Sequence, residues 1–223
     1  MKVLVTGATG MVGQGVLLEC LRDPRVERVL SLGRSPTGRT DPKLEELVQP
    51  DLTDLAQVED RLRGYDACFF CLGVSSAGMS EVDYRKVTFD LTTSVAQTLV
   101  RLNPAMSFVY VSGAGTDSTE HGRAMWARVK GQTENALLRL PFRGAYMFRP
   151  GVIRAKDGIR SRSRIYRVLY AVLLPFVLVA AAISPDSMTT TESMGRAMIR
   201  VAAHGAPTHL LGTREINRLA KAP

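Results

Sequence analysis

Apolar positions along the chain fall into short continuous runs that alternate with longer stretches of helical spacing. Residues 2–6, KVLVT, form the first run, and residues 11–22, MVGQGVLLECLR, the first helical stretch. RVERVLSLG (25–33) supplies a second strand with its lead-in, ELVQPD (46–51) a short third, and DLAQVEDRL (54–62) a helix. DACFFCLG (66–73) is apolar almost throughout, which suits a strand covered on both faces. A long helix from Glu81 to Leu102, a strand SFVYVS (107–112), a helix carrying Trp126 and a strand GAYMFRP (144–150) complete the series. Strands separated by helices of this length predict βαβ units, an α/β fold and a parallel sheet. The alternation stops near residue 150, so residues 156–223 are expected to form a small, mainly helical extension over the domain of residues 1–155.

The link between the first strand and first helix carries the chemistry. Gly7, Gly10 and Gly13 stand three apart in VTGATGMVGQG. One glycine permits the tight turn, one lets backbone amides approach a pyrophosphate, and one allows close helix–strand packing. The helix start adds unpaired N–H groups and the positive end of its dipole. Gly7, Thr9, Gly10, Met11, Val12 and Gly13 are therefore the phosphate-binding candidates, and the fold class sharpens to a doubly wound sheet of the Rossmann type.

A carboxylate after the second strand would meet an adenosine ribose and favour NAD. The chain has SLGRSPTGR there, with no acid between Leu30 and Thr40. Arg34 with Ser35 suits a 2′-phosphate, so NADP is expected before NAD. After the third strand, Asp51 and Leu52 stand where an adenine could be gripped; Asp51 could equally cap a helix beginning near Thr53.

Composition changes this picture little. At 223 residues, 45% hydrophobic and 22% charged, the chain has an ordinary globular balance. The formal charge of +8 is concentrated in RAKDGIRSRSRIYR (154–167), without a nucleic-acid motif, and reads first as a solvated basic loop. Cys20, Cys68 and Cys71 do not resemble a disulfide framework, and no signal peptide is evident, so a cytoplasmic compartment is expected. Cys68 and Cys71, three apart on a strand, point to opposite faces, and no second cysteine pair completes a zinc site. The apolar stretch VLYAVLLPFVLVAAAI (168–183) is short for a membrane span and contains Pro175. Buried or pocket-covering helices are the first reading; peripheral membrane contact beside the arginines is the second.

TGATGMVG, LGRS, DLTD, CLGVSS, YVSGAG, VKGQTENAL and FRPG, in this order, resemble the short-chain dehydrogenase/reductase superfamily. The set is most similar to its atypical NAD(P)H-binding branch, near the Tat-interactive oxidoreductase-like proteins and the epimerase/dehydratase relatives. The resemblance implies that the glycine turn holds a pyrophosphate and that Cys71, Leu72 and Gly73 line the cofactor's ribose and nicotinamide side. It places Ser112, Lys130 and the Arg149–Pro150–Gly151 corner at the active-site edge, with Lys130 on the nicotinamide ribose and Pro150 beside the cofactor. It also implies that the helix beginning at Glu81 can pair in a homodimer.

Catalytic members carry a tyrosine four residues before the lysine, and here that position is Trp126. None of the six tyrosines has a lysine four residues on. An indole donates a hydrogen bond but does not exchange a proton in this range, so Trp126 is expected as a pocket wall. Ser112, Lys130, a water on Lys130, or His121 at the start of that helix are the remaining proton-handling candidates. The expectation is an NADP(H)-dependent oxidoreductase acting on a small carbonyl-type molecule, with no metal and no nucleic-acid partner. The alternative is a non-catalytic NADPH-binding regulatory or sensor protein. A nucleotide-sugar epimerase is disfavoured by the short region after residue 150.

Overall fold

The computed structural model describes residues 1–159 and 188–222. A seven-stranded parallel sheet is built from β1 (Lys2–Thr6), β2 (Arg28–Gly33), β3 (Leu44–Val48), β4 (Ala67–Phe70), β5 (Ser107–Val111), β6 (Gly144–Arg149) and β9 (Leu210–Gly212). Its order is β3-β2-β1-β4-β5-β6-β9. The order reverses between β1 and β4, and ligands of open α/β sheets bind outside the carboxyl ends at such a switch point. β7 (Val152–Arg154) and β8 (Met188–Thr190) pair separately, also in parallel.

Alternation along each strand divides the core into two layers. Val3, Val5, Val29, Phe69 and Val109 face α1 (Met11–Arg22), α5 (Thr191–His204) and α6 (Thr213–Lys221). Leu4, Leu30, Cys68, Phe70, Phe108 and Tyr110 face the other side, with α3 (Leu91–Leu102) and a 3₁₀ helix (Ala56–Leu62). Cys68 and Cys71 belong to opposite layers, as their spacing requires.

Local chemistry moves several boundaries. β3 begins two residues before its expected start because, on an edge strand, Glu45 reaches Arg28 and Arg61 while Glu46 reaches Thr37. Of the helix expected over residues 54–62, Ala56–Leu62 form a 3₁₀ helix rather than an α-helix. β4 ends at Phe70, so Cys71 lies in the following loop although its N–H still bonds Thr6 O at 3.2 Å. The helix expected over residues 81–102 is α2 (Glu81–Arg85), a π-helical turn (Lys86–Asp90) and α3. β9 adds a strand that the hydrophobic pattern does not announce.

Candidate functional site

The β1–α1 turn is closed by backbone contacts. Gly10 N–H donates to Gly7 O at 2.9 Å, and Gln14 Nε2 donates to Thr9 O at 3.0 Å. Gly7 is left-handed at φ 69°, and a Cβ there would lie 2.7 Å from the carbonyl of Cys71. A Cβ on Gly13 would lie 2.1 Å from Gly7 O. The start of α1 thus presses on the end of β1, which presses on the chain leaving β4. Gly10 caps α1 without a side-chain hydrogen bond, and the first turn has no acid. Its N–H groups and dipole therefore suit an anion, and the cradle fits a dinucleotide pyrophosphate.

Beyond β2, Arg34 and Ser35 are exposed, and among the described residues Arg34 has no ion pair. Glu46 accepts from Thr37 N–H at 2.6 Å and Thr37 Oγ1 at 2.5 Å, which ties this loop back to β3. Asp51 closes a local turn rather than capping a helix at Thr53. Its carboxylate accepts from Thr53 N–H at 2.8 Å and Oγ1 at 2.6 Å, and those donors hold it below the usual carboxylate range. The 3₁₀ helix itself starts only at Ala56. Leu52 is buried in the apolar layer below.

At the corner of β5 and α4 (Met125–Leu138), Lys130 Nζ donates to the carbonyl oxygen of Ser112. Ser112 is buried and its own hydroxyl donates to Phe148 O at 3.2 Å. Burial pushes the Lys130 ammonium down to about 8, against the opposing pull of Glu134 one turn further on. Glu134 is 0% exposed and is gripped by Arg149, whose Nε lies 3.0 and 3.2 Å from its two oxygens. The same guanidinium donates to Ser118 Oγ at 2.5 Å. Arg149, matched by resemblance to the active-site edge, therefore serves as a brace between β6, α4 and the loop before α4. Pro150 is buried and its carbonyl accepts from Ala114 N–H at 2.8 Å, while Gly151 N–H donates to Thr213 Oγ1 at 2.9 Å.

Trp126 is half-buried, one helical turn before Lys130. Its Cη2 lies 3.2 Å from the point a Cβ on Gly115 would occupy. The loop lies flush on α4 because residue 131 is glycine; a Cβ there would fall 1.8 Å from Asp117 O. Asp117 closes the loop through Thr119 Oγ1 at 2.7 Å and Gly122 N–H at 2.6 Å.

Ser112, Trp126 and Lys130 are thus brought to one corner, on the same carboxyl edge as the glycine turn and Cys71–Gly73. His121 is exposed. Burial raises the Cys71 thiol to about 12, so it is no nucleophile near neutrality. Glu134, Ser118 and Gly115 shape the corner without having been signalled. A lone glutamate in a helix reads as a surface residue until its partner on a distant strand is known.

Residues 160–187 lie outside the described residues, and with them the 168–183 stretch and most of the basic run. No helix of the described residues is long and apolar enough to cross a membrane.

Comparison with known proteins bears on both fold and compartment. The structure of Bordetella bronchiseptica WbmF in complex with NAD+ superposes with a TM-score of 0.69 at 14% identity, over 98% of this chain and 76% of that one. At that identity it shows the fold alone. FMP52 of Chaetomium globosum, a mitochondrial protein by name, is 25% identical over 158 residues, 70% of this chain and 67% of its own length. HTATIP2 of Rattus norvegicus is 26% identical over 154 residues, 68% of this chain and 62% of its own. The mitochondrial relatives overturn the expectation of a cytoplasmic compartment. Unpaired cysteines report a reducing environment, not which compartment supplies it. The uncapped glycine turn, the switch point beside it and a match over residues 3–218 agree: the chain belongs to the NAD dependent epimerase/dehydratase family.

Proposed function

We propose that this chain is an NADP(H)-dependent oxidoreductase acting on a small carbonyl-type compound. The observation that carries the reading is Lys130, held on the Ser112 carbonyl at the same sheet edge as the uncapped glycine turn. The turn and the first N–H groups of α1 hold the pyrophosphate; Lys130 directs its remaining protons to ribose hydroxyls; Trp126 walls the pocket. Bound there, the dinucleotide supplies hydride. Arg34, exposed and without an ion pair among the described residues, supports a 2′-phosphate and hence NADP over NAD.

Calorimetric titration with NADPH and NADH tests this. Arg34→Ala is expected to weaken NADPH alone, by roughly 1.5–3 kcal/mol, the scale of a hydrogen bond to a charged group. Equal affinity for the two cofactors, or no loss in Arg34→Ala, removes the NADP preference.

Two observations favour a second reading, a non-catalytic NADPH sensor: an indole stands in the phenol's place, and the Ser112 hydroxyl donates to Phe148 O. Tight NADPH binding with no turnover on any carbonyl-type acceptor would establish it.

A further inference from the structure

The far end of α1 carries charge that the glycine turn does not use. The helix is 12 residues long, so its last turn lies roughly 18 Å from that turn, at the amino edge of the sheet. There a cavity of about 520 Å³ is bounded by α1, α5 and α6. Arg22, Arg25, Arg196, Arg200 and Lys221 line it, against the carboxylates of Glu19 and Asp23.

Glu19 organises the cluster. It is buried between the helices because residue 195 is glycine; a Cβ there would fall 2.7 Å from Glu19 Cβ. Its Oε1 accepts from Arg22 of α1 and its Oε2 from Arg196 of α5, each at 3.1 Å. A well-packed apolar side chain often serves stability as well as a buried ion pair does. What the carboxylate adds is placement: two guanidiniums from two helices are fixed at one cavity. Asp23 fixes Arg25 in the same way, at 2.7 Å. Asp157 and Glu192 also bind Arg22 and Arg196. Lys156 shares Glu192, however, and Lys43 reaches the Asp23 carbonyl, so the cations keep their majority. A guanidinium has five N–H donors. Arg22, Arg25 and Arg196 each give two to carboxylates, which leaves donors for a ligand.

We propose that this cavity is a second anion site, for a ligand carrying two or more linked phosphate groups. The inference goes beyond the NADP(H) reading and does not depend on it. A carboxylate presents its acceptors in one plane. The donors here come from three helices and from the loop after α1, so the ligand must accept from several directions, as phosphoryl oxygens do. The cations are also too many for one phosphate to balance. Among the described residues no aromatic side chain lines the cavity, so a nucleobase finds no stacking surface and recognition rests on the phosphates. The volume falls within the roughly 300–1,000 Å³ of small-molecule sites. A soluble oligophosphate and the phosphorylated headgroup of a lipid share this chemistry.

Calorimetric titration with tripolyphosphate in physiological salt, with and without NADPH, tests the site. Saturable binding of one tripolyphosphate per chain is expected, at least about tenfold tighter than inorganic phosphate. Arg196→Gln should weaken it by about tenfold or more, the scale of a hydrogen bond to a charged group. Arg25→Gln, at an exposed residue that leaves Glu19 paired, should act in the same direction and keeps the test sound if Arg196→Gln fails to fold. Arg101→Gln removes an equal charge from α3 and should leave the affinity unchanged. No binding of tripolyphosphate, or an equal loss in Arg101→Gln, overturns the inference. Equal affinity for tripolyphosphate and phosphate means an adventitious ion only, and overturns it too. So does binding that NADPH abolishes and Arg196→Gln leaves intact, which belongs to the glycine turn. Where tripolyphosphate binds, phosphatidylcholine vesicles containing phosphatidylinositol bisphosphate separate the two sources. Cosedimentation lost in Arg196→Gln assigns the site to a lipid headgroup; no cosedimentation assigns it to a soluble anion.

Discussion

At the end of β1 the carboxyl edge of the sheet is held by backbone: Gly13 against Gly7, and Gly7 against the carbonyl of Cys71. At the end of β5 it is held by side chains: Lys130 on Ser112, Arg149 on Glu134 and Ser118, and Trp126 along Gly115. The first arrangement tolerates almost no change, because any added Cβ meets main chain that cannot step aside. The second is adjustable at its half-buried side chains, Trp126 and Lys130, which can be exchanged without moving the sheet, although Glu134 beneath them is wholly buried. The difference lets position 126 vary while the glycine turn stays fixed.

Three experiments press on that contrast, beginning with the largest effect. Trp126→Tyr restores a phenol four residues before Lys130, and NADPH oxidation with benzaldehyde is expected to rise about 10²–10⁴-fold. No gain would mean that the corner's geometry, not its missing donor, limits the reaction.

Gly13→Ala attacks the rigid half. With Gly7 O only 2.1 Å from the new Cβ, overpacking of about 1–3 kcal/mol or more is expected in urea unfolding, together with loss of NADPH affinity. Unchanged stability and affinity would show that this half is as adjustable as the other.

Lys130→Met gives the smallest effect and probes the cation. The ammonium is lowered from 10.5 to about 8 in the folded chain, chiefly by burial. Between those values the unfolded chain holds more protons, so native stability should rise with pH from about 8 to 10, and this rise should be absent in the variant. Partial exposure limits the difference to about 1 kcal/mol, measurable as diverging urea midpoints. Parallel pH profiles would place Lys130 in solvent instead.

Legibility from sequence follows the same division. The turn could be read because a glycine spaced for close approach is visible as a glycine. The alternation of β1, β2, β4, β5 and β6 with helices was equally visible, since each strand is a run of apolar residues covered on both faces. β7, β8 and β9 are three residues each, too short for any period to register. Glu134 was not distinguishable from a surface acid, because its burial depends on Arg149, fifteen residues later on another element. Asp51 was legible only as a choice between two uses. Lys130 and Ser112 could be named from their resemblance, but not the fact that the serine's carbonyl, rather than its hydroxyl, receives the lysine.

The packing of α1 bears on how far the molecule can be divided. Val16, Leu17 and Cys20 share an apolar layer with Met194, Ala197, Met198 and Val201 of α5. Beside them Glu19, almost wholly buried, binds Arg22 and Arg196, each at 3.1 Å. Uncovering three such side chains, at roughly 1.5–3 kcal/mol each, would consume much of the about 5–15 kcal/mol by which a domain of this kind is stable. A chain cut after residue 155 is therefore not a smaller version of this protein. The helix that opens at the glycine turn is completed by α5, so chimeras between relatives must exchange the two together.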